Sequence, residues 1–398
     1  MSQAVERNPA DAQLPSPAPA GARRVSYLDG ARATAALFVL VHHTYCMAYP
    51  IRDGIEPAGV LGYAVGWMVY GHFGVTVFIV LAGYSLFIAL AHRSGRLPGG
   101  FVGYLKRRAW RILPPFWAAL LVTIVLVLVF IGSPTGTHWD QSVPTSPKGW
   151  VVDALLLQDI VPVQDAAYTF WSISVEWHIY FLVPVILVIR TRSTWAVAIG
   201  VGVSIGLVGM VLAVVSEKFG RIHPEYYAVF ALAAGGCLIV AHAPAWARRV
   251  PWRVTSAVAL SSVVALCLTH DFAWAISHFP WLDLVVGLGV VSLLIAIGLG
   301  KADRVASTLS WAPLARIGAF SYSMYLVHAQ LLQVFWQTVV DPFNLDRPMQ
   351  LLLGWAVGVP LIVGASYGFS LLAEQPFVRR EARIKALGNA LDPNAIQR

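Results

Sequence analysis

Ten apolar runs, each near bilayer-spanning length, alternate with polar segments at about 28–48, 66–91, 113–132, 170–189, 195–215, 226–241, 254–269, 281–300, 317–338 and 351–373. A helix rises about 1.5 Å per residue, so about 20 apolar residues match a hydrocarbon layer of about 30 Å. In lipid every backbone N–H and C=O must be paired within the protein, and a helix pairs them within its own segment. The pattern predicts an all-α fold: a polytopic membrane bundle of about ten transmembrane helices. The ends of two runs are the least defined, because 226–241 is short and glycine-interrupted and 66–91 starts in a glycine-rich stretch. No internal repeat is visible.

The basic residues orient these runs. With the N-terminus inside, the inner segments hold 22 of the 28 Lys and Arg, the outer segments five, and Arg32 alone lies within a helix. That bias obeys the positive-inside rule and predicts that both termini are cytoplasmic. Residues 1–24, rich in Ala and Pro, are expected as a disordered cytoplasmic tail, 25–375 as the transmembrane domain, and 376–398 as a basic cytoplasmic tail. The first run continues to Tyr49 without a small-residue cleavage pattern, so it is expected to remain in the membrane.

Composition agrees with this class. The chain is 58% hydrophobic and only 12% charged, with a mean hydropathy of +0.67, against about 25% charged residues in soluble domains. A net charge of +8 would suit nucleic acid, but the cations are scattered between apolar runs, so no nucleic-acid partner is expected. Cys46, Cys237 and Cys267 lie in apolar runs, which argues against a disulfide framework and against a metal site.

Charged and titratable groups inside a bilayer are costly and mark functional positions. The first run carries Arg32, His42 and His43. Eleven residues of helix return a side chain to within about 20° of the same face after a rise of about 16 Å. One stripe therefore presents a guanidinium near the cytoplasmic surface and an imidazole in the outer half, with His42 about 80° away. Arg32 is suited to a phosphate and His43 to general-base work near neutral pH. The bland alternative is a snorkelling arginine and a packed, hydrogen-bonded histidine.

The second inner loop adds Lys106, Arg107, Arg108 and Arg111 before Pro114-Pro115. Arg108 and Arg111, three apart, would share a face of a short surface helix and bind the phosphates of an acyl donor, or else anchor lipid head groups. At the outer start of the fourth run, Ser172 and Glu176 share a face beside Trp171. Glu176 is expected at the depth of His43, where its carboxylate would orient the imidazole. Ser321, Tyr325 and His328 form a polar stripe that should face the bundle interior, to contact substrate or to bond neighbouring helices. The loop 133–169 is long for a simple connection and either covers an acceptor site or is a solvated loop. His72 stands among glycines that allow close backbone approach, and no chemistry is assigned to it.

Five stretches in this order resemble the acyltransferase-3 family of integral membrane O-acyltransferases. They are Arg32 and His43 with ten residues between them, Gly71 to Tyr84, Arg107 to Pro114, Trp171 to Tyr180, and Ser321 to His328. Two departures are Ala82 in place of the family's usual serine before Gly83, and the lack of an esterase-like domain after the last run. The resemblance implies transfer of an acyl group, commonly acetyl, from acyl-coenzyme A to a carbohydrate hydroxyl, on an envelope polysaccharide, a glycolipid or a glycosylated metabolite such as a macrolide. It also implies that Arg32 and His43 are essential and that Arg108 and Arg111 are the family's Arg-x-x-Arg pair.

The expected assignment is then His43 and Glu176 for catalysis, Arg32, Arg108 and Arg111 for acyl-coenzyme A, and Trp171, Ser172, Tyr325 and His328 for substrate, without a metal, in the cytoplasmic membrane. The chief rival from sequence is a transporter or flippase of envelope glycoconjugates, since polar stripes also line permeation paths.

Overall fold

The computed structural model describes residues 20–50, 54–91, 97, 99–132, 134–142 and 145–378, with side chains from Ser26 onward. Nearly all of both expected tails lies outside the described residues, as do Arg52, Arg93 and Arg96. Among the described residues there are helices and no strands, and the long helices run back and forth as an all-α membrane bundle.

We number the long helices α1 (Ala20–Ala48), α2 (Gly59–Ala91), α3 (Gly100–Ile131), α4 (Trp171–Arg192), α5 (Trp195–Val215), α6 (Pro224–His242), α7 (Trp252–Thr269) and α8 (Phe272–Gly298). They are followed by α9 (Ser321–Phe335), which continues into a π turn, Trp336–Val340, and α10 (Arg347–Val378). Eight of them are long and apolar enough to cross a membrane. The other two, α1 and α9 with its π turn, have the length but are too polar to pass on hydropathy. Their polarity has a cause: they carry Arg32, His42, His43, Tyr325, His328, Gln330 and Gln333, and the bundle shields them. The polar groups face protein rather than lipid, as intramembrane polarity requires.

One expectation is corrected here. The basic cluster from Lys106 to Arg111 is not on a separate surface helix, because a single helix, Gly100–Leu126, runs from before the cluster through Pro114 and Pro115. Two prolines cost α3 backbone hydrogen bonds without ending it, and the arginines thus sit on the first turns of a spanning helix.

α1 packs on α2, on α9 and on the short helix Ala312–Gly318. The contact with α2 is close because Gly71 and Gly74 lack side chains: a Cβ at Gly71 would collide with the Cβ of His42, and one at Gly74 would lie 2.9 Å from the carbonyl of Ala35. Such small-residue contacts let helix backbones approach where lipid gives little hydrophobic drive. α2 is irregular just there, with a 3₁₀ turn over Gly66–Tyr70. The turn leaves the Met68 carbonyl to accept a 2.9 Å hydrogen bond from His42 Nδ1.

Among its described residues, the loop between α3 and α4 packs on the bundle at several points. Trp139 and Asp153 have no exposed surface. Thr137 Oγ1 donates to Gln333 Oε1 on α9 at 2.6 Å, and Asp153 accepts from the Ala166 amide at 2.7 Å. Its carboxyls are poorly solvated. Burial, reinforced by the nearby Asp153 and Asp159 carboxylates, pushes Asp165 up to about 8, and burial alone pushes Asp153 up to about 7.

Candidate active site

Two groups of side chains lie along the seam between α1 and α9, one toward each end of the bundle. Near the end where α3 begins, a cavity of about 280 Å³ is lined by Arg32, Arg108, Arg111, Glu176, Tyr322 and Glu374, among others. Arg32 donates to Asp29 Oδ1 at 2.6 Å and to Ser85 Oγ at 2.7 Å. Arg108 lies over the Tyr180 ring, 5.4 Å from its centre. Neither Arg108 nor Arg111 forms an ion pair with a described carboxylate. Planar guanidinium groups converging on one cavity suit multidentate phosphate binding.

Glu176 belongs to this group. It accepts a 2.5 Å hydrogen bond from Tyr180 and lines the arginine cavity. The sequence reading put it beside His43 to orient the imidazole, and that placement is wrong. The helix breaks at Tyr180–Phe181 between Trp171–Ile179 and Leu182–Arg192, and this short upper segment turns Glu176 toward α1's arginine. Sequence reasoning missed two further acids. Asp29 pairs with Arg32, and Glu374 of α10 accepts from the Ser323 amide at 3.2 Å and from Ser323 Oγ at 2.5 Å. Asp29, three residues before Arg32, could have been found from its spacing; Glu374, at the far end of the last apolar run, carried no such signal.

The second group surrounds His43. Its ring stacks on His328 with centroids 5.2 Å apart, and lies 4.9 Å from Tyr168, 4.7 Å from His42 and 5.6 Å from His138. His328 Nδ1 faces the Met324 and Tyr325 carbonyls at 3.1 and 2.7 Å. Carbonyls only accept, so this nitrogen carries the proton and Nε2 carries a lone pair. His328 Nε2 and His43 Nδ1 are both buried and have no hydrogen-bond partner among the described residues. A buried nitrogen left unpaired is costly in a purely structural role. His138 and Tyr168 come from the long loop, which sequence reasoning had marked only by its length.

A hydrogen-bonded pair separates the groups. Ser172 Oγ and Tyr325 OH are 2.6 Å apart, and both residues line the arginine cavity. Beyond the pair, the Tyr325 ring is 5.6 Å from His328, which stacks on His43. Arg32 and His43 thus share the α9-facing side of α1, as their eleven-residue spacing requires.

Trp171 does not join them. Its ring lies 4.4 Å from His223 and 6.2 Å from His72, beside a buried polar cluster in which His72 Nε2 meets Asp283 Oδ2 at 2.9 Å and Tyr226 OH at 3.1 Å. Adjacent residues on a helix point about 100° apart, and here Ser172 lines the arginine cavity while Trp171 turns to the His72 cluster. Among the described residues, no group of three His, Cys, Asp or Glu is arranged to hold a metal ion.

The Bacillus subtilis (strain 168) protein named "Putative peptidoglycan O-acetyltransferase YrhL" is 24% identical to the chain over 339 residues, covering 75% of the chain and 52% of that relative. The chain therefore spans about half the length of the curated relative it matches. No solved structure matches it. The family model of the acyltransferase-3 acyltransferase domain matches residues 25–373, which takes in all ten long helices nearly end to end and both halves of the site. The chain belongs to the acyltransferase-3 family of integral membrane O-acyltransferases.

Proposed function

We propose that the protein transfers an acyl group, acetyl foremost, from acyl-coenzyme A to a hydroxyl of a carbohydrate acceptor on an envelope polysaccharide, a glycolipid or a glycosylated metabolite. The observation that carries this reading is the arginine cavity ending at Ser172–Tyr325 with the imidazoles of His328 and His43 directly beyond. The reading sets the arginine end of the bundle in the cytoplasm, where acyl-coenzyme A is found, and the protein in the cytoplasmic membrane.

Arg32, Arg108 and Arg111 bind the phosphates of the donor. Arg108 and Arg111 are available at once, whereas Arg32 exchanges Asp29 for phosphate. The acylated arm enters by displacing the Ser172–Tyr325 hydrogen bond, and the two hydroxyls then bond the arm instead. His43 accepts the proton of the acceptor hydroxyl as its oxygen bonds to the thioester carbonyl carbon. The tetrahedral oxyanion collapses, the carbon–sulfur bond breaks, and the thiolate takes up the proton, leaving an ester and free coenzyme A. His328, stacked on that ring, holds the imidazole in place. In a variant, His43 is itself acylated and then passes the group to the acceptor. Glu176, Asp29 and Glu374 keep the empty cavity near neutral and hold the arginines apart, rather than acting on the imidazole.

The test is thiol release from acetyl-coenzyme A by the purified protein in proteoliposomes supplied with glycan acceptors. Release that depends on acceptor supports the reading. Removing Arg108 or Arg111 should raise the donor KM by about 10- to 100-fold, the loss of one charge-assisted phosphate contact. Vectorial movement of a glycoconjugate without thiol release would make the protein a transporter instead.

A further inference from the structure

A second and larger cavity opens on the opposite flank of α1. It has a volume of about 780 Å³ and lies between α1, the start of α2, and the ends of α7 and α8. Its walls are aromatic: Tyr45 and Tyr49 of α1 stack at 5.4 Å, and Tyr70 meets Phe272 edge-on at 5.6 Å. Two of the polar tips are already used: Tyr70 OH donates to the Cys267 carbonyl at 3.0 Å and Trp67 Nε1 to the Ala64 carbonyl at 2.9 Å, so these two rings offer faces and not hydrogen bonds. Two carboxylates, Glu56 and Asp271, line the same cavity, and no lysine or arginine is among its described lining residues. An apolar volume, electron-rich ring faces and two carboxylates without a described cationic partner together form the recognition pattern for an ammonium group on an apolar body.

We infer that this cavity binds an apolar molecule that carries a basic amine, and that acceptors of this class are the ones the enzyme acylates. The second clause rests on the acyl-transfer reading above; the first does not. The placement supports the link. Phe38, which lines the cavity, and His42 lie one turn apart on α1, and the His42 ring is 4.7 Å from His43. A molecule seated by its apolar, cationic part would therefore extend an attached sugar toward His42, the neighbour of the proposed base.

Two glycosides distinguish the outcomes: dodecyl glucoside, and the same compound with a trimethylammonium group on its alkyl chain. Binding of each is measured to the full chain in zwitterionic nanodiscs, with empty nanodiscs as the blank. The cationic glycoside should bind saturably and about tenfold more tightly than the neutral one, a difference of the size expected for a cation among aromatic rings and carboxylates. In Glu56→Gln/Asp271→Asn the advantage should vanish. Asn still caps α8, whose Trp274 amide Asp271 accepts, so folding is preserved. His43→Ala should bind both glycosides as the wild type does, so binding stays readable even if acyl transfer fails. With acetyl-coenzyme A present, the cationic glycoside should be acetylated with the lower KM, and that preference should also be lost in the double variant. Equal affinity for the two glycosides would make the cavity a groove for lipid tails and overturn the inference. Selective binding with no preference in acylation would overturn its second clause alone.

Discussion

At the residue scale, the site depends on which polar atoms are paired and which are not. His42 and His328 each spend Nδ1 on backbone carbonyls, while His43 Nδ1 and His328 Nε2 are buried without a described partner. Those two nitrogens have no described partner, and the proposed mechanism gives the proton to His43. Glu176 is placed with the arginines, 2.5 Å from Tyr180 OH, and a direct consequence follows. Glu176→Gln should alter the donor KM and leave the midpoint of the kcat–pH profile where it is in the wild type. A midpoint displaced by about half a unit or more would mean that the carboxylate does act on the imidazole. Arg32 with His43, and Tyr325 with His328, could be read as pairs because helical spacing sets each pair on one side of its own helix. The surroundings of Glu176 and Trp171 were not legible because other helices supply them, Tyr322 and Glu374 for the one and His223 and His72 for the other.

At the scale of elements, the meeting of α1 with α2 fixes the height and direction of the imidazoles. Gly71→Ala would drive a methyl group into the His42 side chain. It should destabilise the protein by about 1–3 kcal/mol, as overpacking does, read as a lowered Tm in nanodiscs. The long loop is the second such element, since His138 and Tyr168 reach His43 only while it is packed. Raised carboxyl pKa values mean that the folded loop holds protons the unfolded loop has released. Its stability is complete below about 4 and declines as the pH rises through about 7 to 8. Hydrogen exchange across residues 134–170, corrected for intrinsic rates, should therefore be more protected at pH 5.5 than at pH 8.5, and Asp165→Asn should reduce that difference. Equal protection at both pH values would contradict it. The loop's length announced its importance in sequence, but its partners arise from tertiary packing of single residues such as Thr137 on Gln333.

At the scale of the whole molecule, the ten-run pattern was legible because lipid enforces it, and the family match over residues 25–373 covers the same span. The two helices that fall short on hydropathy are those that carry Arg32, His43, Tyr325 and His328. They sit at the seam of the bundle, with a phosphate-suited cavity at one end and imidazoles at the other. That division implies that donor binding and proton transfer can be uncoupled by mutation. The measurement that tests this most directly pairs acetyl-coenzyme A affinity with turnover in His43→Ala. Affinity should stay within about twofold of the wild type while turnover falls by about 10²- to 10⁴-fold, the usual worth of a general base. Turnover that survives the substitution, or donor affinity that disappears with it, would contradict the account.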